Sequence, residues 1–221
     1  MATAICLALL HTATAQVRVG IEVGEQYTLL NPSKSLGLNS GGSFVPTAGL
    51  SLQIGSGTFD FIMDAPMGKP FYLETGVFLT NFKYQNSNIQ VYDIPSGNDL
   101  GVVKTHNLSY LQVPINFLRK FKAGKNQVLL GTGFFGAFNV GERITLKTPL
   151  PQFNTNNAAI IGTKGANSVV GGVNLKFGVE LGKLYTFLYA QRLMTNVFEK
   201  GASGTSWKGY IFGARLGYLL R

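Results

Sequence analysis

The chain has 221 residues and a formal net charge of +9, with 13% charged and 45% apolar residues. A soluble domain usually carries about twice that charged share, so the composition argues against a surface lying wholly in water. No stretch approaches the roughly 18 consecutive apolar residues of a membrane-crossing helix, which leaves a closed barrel or an interfacial segment as routes into a bilayer.

Residues 1–15 stand apart. Ala4 to Leu10 is a short apolar run, and Ala13-Thr14-Ala15 has the small-x-small form of a signal-peptidase site. No Lys or Arg precedes the run, so the expected signal peptide is truncated at its start. The expected domains are therefore a signal peptide at 1–15 and an outer-membrane β-barrel at 16–221. Cys6 is the only cysteine and lies in the first segment, which leaves the mature chain without disulfide or thiolate chemistry.

From Val17 onward apolar residues recur at every second position, the period of a strand with two unlike faces. Val17, Val19, Ile21 and Val23 alternate with Arg18, Gly20, Glu22 and Gly24. Ala48 to Ile54, Phe71 to Leu79 and Leu111 to Phe117 repeat the pattern, and Val128 to Val140 follows it more loosely. Val173, Leu175, Phe177, Val179 and Leu181 alternate with Asn174, Lys176, Gly178 and Glu180. Tyr185 to Leu193 has no clear phase, and Tyr210 to Leu220 closes the series. The count is about eight strands, several reaching the roughly 9–11 residues that a tilted strand needs to cross a bilayer.

The connections expected between them alternate in length. Those at 31–43, 85–106, 141–167 and 196–207 are long and rich in loop formers, whereas 119–126 and 182–184 are tight, with Gly124 and Gly182 placed for turns. Long loops at one end and short turns at the other is the outer-membrane pattern. The connection at 55–69 breaks it; Phe59-Asp60-Phe61-Ile62 could add a hairpin and raise the count to ten.

The faces between the apolar positions are rich in glycine and include Tyr72, Phe78, Pro114 and Ile211, which suits a narrow interior better than a wetted sheet. They also carry Arg18, Lys176 and Arg215 against Glu22, Glu74 and Glu180. Three cations and three anions in a narrow lumen should pair, because unpaired buried charge is costly. This is the expected structural charge network. The net charge then falls on the rims, Arg119, Lys120, Lys122 and Lys125 among them, where anionic lipid headgroups are favourable neighbours. That basic run reads as a solvated turn at the membrane edge, not as a nucleic-acid contact.

Several segments resemble the small outer-membrane β-barrels of Bacteroidota, the porin family or PorT-like group. They are Phe71 to Val77, Tyr110 to Ile115, the glycine-rich Gly131 to Phe135, and Thr195-Asn196-Val197. The resemblance implies an eight-stranded barrel without an assigned activity. The chain departs from that pattern at its end, Tyr218-Leu219-Leu220-Arg221, where an aromatic residue is usual, and at Phe187 and Tyr189, where an acidic residue and an arginine often stand.

Little chemistry is marked. His106 is the one histidine after residue 15, and Ser109, three residues on, falls on the opposite face of a strand. A nucleophile and its base must lie within hydrogen-bond reach, so no catalytic residue is expected, and neither cofactor nor metal. The reading is an all-β, antiparallel, up-and-down transmembrane barrel in the outer membrane of a Gram-negative bacterium. Its partners would be outer-membrane lipid and an envelope or extracellular protein met through the long loops, in surface interaction or a secretion-accessory role. The alternatives are a soluble lipocalin-like barrel binding a small apolar ligand and a lipid-modifying outer-membrane enzyme. Leu175, Phe177 and Leu216 packed in a shared interior would overturn the membrane reading.

Overall fold

The computed structural model describes residues 17–32, 43–55, 71–89, 102–147, 155–156, 165–198 and 207–220. They form β1 (Val17–Pro32), β2 (Ser43–Gly55), β3 (Phe71–Ile89), β4 (Val102–Ala123), β5 (Asn126–Lys147), the two-residue β6 (Thr155–Asn156), β7 (Val169–Leu181), β8 (Leu184–Leu193) and β9 (Trp207–Leu219). All pairings are antiparallel, and the ring closes where β1 meets β9, from Gly20 opposite Leu219 to Pro32 opposite Trp207. β6 only touches the far end of β5, through Thr145 and Leu146, so the barrel wall has eight strands.

The ten-strand alternative does not occur. β2 pairs directly with β3, Ala48 opposite Leu79 through Gly55 opposite Tyr72, so no hairpin fits between them. Phe59 to Ile62, on which that alternative rested, and the expected signal peptide lie outside the described residues.

The apolar positions face outward. Leu175, Phe177 and Leu216 are 56%, 50% and 54% exposed, and Ile21, Leu50, Val77, Ile115, Phe134 and Leu188 carry the same surface around the other strands. The residues between them are buried. β8, which has no clear phase in sequence, points Tyr185, Phe187, Tyr189, Gln191 and Leu193 inward. Four of its five inward residues are apolar or aromatic, against three of the five outward ones (Leu184, Leu188 and Ala190), which hides the period.

Three strands run further than the alternating pattern indicates. β3 continues to Ile89, β4 begins at Val102 and β5 extends to Lys147, so parts of the connections expected at 85–106 and 141–167 are ladder. Tyr84 opposite His106 and Asn107 opposite Arg143 belong to these extensions. Most of their residues are polar, and a ladder needs only backbone donors and acceptors, so no sustained apolar alternation announces it. At the other end the turns are tight. Gly124 and Gly182 take φ of 65° and 68°, a left-handed conformation that glycine adopts without the Cβ clash of other residues. The 119–126 connection is correspondingly shorter than expected: β4 runs to Ala123 and β5 restarts at Asn126.

Candidate functional site

The interior is layered along the barrel axis. At the loop end an apolar cluster includes Leu30, Phe82, Leu108, Phe135, Leu193 and Ile211. Segments 165–168 and 194–198 fold over it. The Asn167 amide donates to the Val197 carbonyl (2.8 Å), Asn167 Nδ2 donates to the Asn196 carbonyl (2.7 Å), and Ala166 bridges to Phe198. Val197 and Phe198 are buried by this fold-over. At the turn end Leu129, Tyr185, Phe187 and Leu219 form a second cluster.

Between and below these layers lie the six residues singled out as a charge network, and the structure brings them together in three pairs. Lys176 Nζ lies 2.5 Å from Glu74 Oε1, which also accepts from Asn116 Nδ2 at 3.0 Å. Arg215 Nη1 is 3.6 Å from Glu22 Oε2. Arg18 makes a two-pronged contact with Glu180, Nη2 to Oε1 at 2.6 Å and Nη1 to Oε2 at 3.0 Å. The partners come from different strands: β3 with β7, β1 with β9, and β1 with β7 across the bore. Such contacts fix the relative positions of walls that are far apart in sequence.

Lys120 is the residue that sequence reading misplaced. It does not lie in a solvated turn. It sits on the inner face of β4, 4% exposed, with Nζ donating to Glu180 Oε2 at 2.8 Å and to Gln53 Oε1 at 3.0 Å. Its ammonium also lies 4.0 Å from the centre of the Tyr72 ring. Strand parity from Gln112, Pro114 and Asn116 runs on through Leu118 to Lys120; the signal was there and was masked by the neighbouring Arg119 and Lys122. Among the described residues the interior therefore holds four cations and three carboxylates. The excess sits at the turn end, where Arg18 keeps 18% of its side chain in contact with the surroundings.

Aromatic rings and hydroxyls complete the packing. The Arg215 guanidinium is sandwiched 4.0 Å from Phe78 and 4.6 Å from Tyr189, and Lys176 stands 4.1 Å over Phe187. Such contacts favour a cation whose hydration has been stripped away. Tyr185 donates to Glu22 Oε1 at 2.9 Å, and its oxygen is 2.8 Å from the Ser51 hydroxyl. Tyr189 donates to Gln26 Oε1 at 3.1 Å. A cavity of about 10 Å³ remains, lined by Asn116, Asn174, Lys176, Gln191 and Arg215 among others. Asn116 Oδ1, Asn174 Oδ1, Gln191 Oε1 and the Nε and Nη2 of Arg215 have no protein partner. Donors and acceptors together in a space of this size suit a single water molecule.

His106 lies in β4 and is buried, its Nδ1 3.3 Å from Glu142 Oε1 and its ring edge-on to Phe198. Ser109 turns elsewhere and donates to Asn81 Oδ1 at 2.8 Å.

No protein-family model matches the sequence, and no curated protein does. Among solved structures, Neisserial surface protein A is similar over 93% of this chain and 99% of its own, with 11% identity and a TM-score of 0.40. The N-terminal β-barrel domain of Pseudomonas aeruginosa OprF is similar over 93% and 100%, with 11% identity and a TM-score of 0.35. Ail of Yersinia pestis, solved with the heparin analogue sucrose octasulfate, is similar over 92% and 99%, with 7% identity and a TM-score of 0.30. These likenesses assign no residue, ligand or activity to this chain.

Proposed function

We propose that the chain is an integral β-barrel of the bacterial outer membrane, non-enzymatic, with a lumen closed by its own side chains. The observation that carries this reading is the inversion of the barrel: a continuous apolar outer surface around an interior of buried ion pairs. An apolar surface running round every strand of a monomer is a lipid or partner interface, and a closed sheet is the form of β-structure that leaves no unpaired edge in hydrocarbon. The thirteen residues of β7 at about 3.3 Å each, tilted by roughly 40°, rise about 33 Å, enough for a hydrocarbon core of about 30 Å.

A calyx for an apolar ligand needs an open apolar interior; here, among the described residues, the middle layer is polar and the cavity within it is about the size of one water. The layers at both ends speak for a plug and against a diffusion pore. Function then falls to the surface that faces out of the cell, in adhesion, partner docking or an envelope-accessory role, and the PorT-like resemblance of the four quoted segments belongs to this proposal. Cell fractionation with heat-modifiable gel migration tests it. The protein should pellet with membranes, shift on boiling, and give no wide-pore conductance in a planar bilayer. Extraction into buffer without detergent would overturn the membrane reading, and a steady wide conductance would overturn the plug.

A further inference from the structure

A carboxylate interrupts the apolar outer face. Glu25 is the ninth of the sixteen residues of β1, exposed and turned away from the bore. It stands opposite Ala214 on β9 and Pro46 on β2. Val23, 55% exposed, lies on its turn-end side, and the rings of Tyr27 and Phe44 pack at 5.2 Å on its loop-end side. The nearer end of β1 is seven residues away, about 18 Å along the barrel axis at 3.3 Å per residue and a tilt of roughly 40°. That is far beyond the reach of a glutamate side chain. Two strands away, Arg192 is exposed on the outward face of β8, its guanidinium leaning over Tyr210 of β9 at 5.9 Å. Among the described residues neither Glu25 nor Arg192 has an ion-pair partner.

The two charges lie at nearly one depth. A rung of the ladder that leaves β1 at Val17 and is followed through all eight strands returns to β1 at Tyr27, ten residues nearer the loop end. Each step of one strand in that direction therefore climbs by about one and a quarter residues. Arg192 shares its rung with Tyr210 and, two strands on, with Leu29. Leu29 thus stands about two and a half residues above Arg192, and Glu25, four residues below Leu29, ends roughly 4 Å below Arg192. On β9 the rung of Arg192 passes through Tyr210 and that of Glu25 through Ala214. Phe212, 48% exposed, lies midway.

Resting on the membrane reading above, we propose that this side of the barrel is a two-fold interface with a second copy of the chain, closed by reciprocal Glu25–Arg192 ion pairs. A two-fold axis along the membrane normal, passing beside Phe212, lays β9 against β9 of the other copy. It sets β1 of each copy against β8 of the other, so each Glu25 meets the opposite Arg192 at matching depth. A two-fold interface needs a patch that is its own complement. An anion and a cation at similar depth on either side of an apolar centre make such a patch. The carboxylate supplies the demand, because an ionised group in hydrocarbon is costly and pairs. Acyl chains offer it no cation; a second copy does.

The test uses the full chain, folded into phosphatidylcholine vesicles and then released from detergent micelles for native mass spectrometry. The unaltered chain should give dimers. Glu25→Gln and Arg192→Gln should each weaken the dimer by about tenfold, since each removes both pairs. Phe134→Leu, on the far wall, should leave it unchanged. The charge reversals Glu25→Arg and Arg192→Glu should each be monomeric alone, because like charges then face each other. Mixed in equal amounts they should form a heterodimer, resolved by mass, in which both pairs are restored with opposite polarity. Heat-modifiable migration reports whether each variant is folded, and the conservative Gln variants decide the matter if a reversal does not fold. A monomer at every protein-to-detergent ratio, or a dimer indifferent to both Gln substitutions, overturns the interface while leaving the membrane reading intact. A dimer weakened by Glu25→Gln and not by Arg192→Gln overturns the reciprocal pair. Failure of the unaltered chain to insert into vesicles overturns the membrane reading itself.

Discussion

Leu175→Arg separates a lipid-facing belt from a wetted surface. Leu175 is the central residue of β7, six positions from either end, and its side chain is 56% exposed. If that exposure is to water, an arginine there touches nothing it disturbs, and the change in stability should lie within about 0.5 kcal/mol. If it is to hydrocarbon, the arginine lies near the bilayer midplane and costs about 2–4 kcal/mol. That is a loss of roughly 30- to 1,000-fold in the ratio of folded to unfolded protein. The assay is reversible urea unfolding from phosphatidylcholine vesicles, followed by the fluorescence of Trp207, the only tryptophan, and checked by heat-modifiable migration. A companion variant, Leu220→Arg, lies at the barrel's end and should cost under about 1 kcal/mol, because the penalty falls toward the interface. Equal, near-zero costs at both positions would refute the inversion on which the membrane reading stands.

Other changes probe the interior. Lys176→Met leaves the fully buried Glu74 without its cation and should cost about 3–5 kcal/mol, whereas Lys176→Met/Glu74→Leu should recover most of that loss; a double-mutant cycle in urea measures both. Gly217→Ala would place a Cβ 2.1 Å from the Tyr185 ring. The ring must move off Glu22, so the unfolding midpoint should fall by the equivalent of roughly 2–4 kcal/mol, more than for Tyr185→Phe. His106→Ala should leave vesicle phospholipids as intact as the unaltered chain does; acyl-chain release by the unaltered protein and not by the variant would make His106 part of an enzyme.

The barrel wall was legible because burial there has two unlike sides. Wherever one face is apolar and turned outward and the other lines the bore, the chain must alternate, and Leu50, Leu52 and Ile54 against Ser51 and Gln53 do so. The signal disappears where that contrast does. In Gln85 to Asn88 and in Gly141 to Lys147 polar residues outnumber apolar ones, so the strands they extend show no sustained alternation to distinguish them from a loop. In β8 the contrast fails differently: Tyr185, Phe187 and Tyr189 fill the bore with apolar bodies and polar tips, while Leu188 faces out, so both sides read as apolar.

Lys120 shows why counting charges by position along the chain fell short. Three cations against three carboxylates looked complete, so a fourth had no reason to enter. The structure admits it because Glu180 has two oxygens and four lone-pair directions. Arg18 spans both oxygens of the carboxylate, Lys120 shares Oε2 with it, and Gln53 and the Tyr72 ring absorb the remainder of the ammonium's demand. The surplus positive charge stays near the turn-end mouth, close to Arg18, whose side chain keeps 18% of its surface exposed and so can be offset by the surroundings. The middle layer, far from either mouth, is balanced one to one by Lys176 with Glu74 and Arg215 with Glu22. Charge neutrality in this barrel is thus enforced layer by layer and tightens with depth. A substitution that adds a charge should accordingly be tolerated better beside Arg18 than beside Arg215: Gln53→Glu should be near neutral, and Gln191→Glu, on the same inner surface but deeper, should destabilise measurably in the same urea assay.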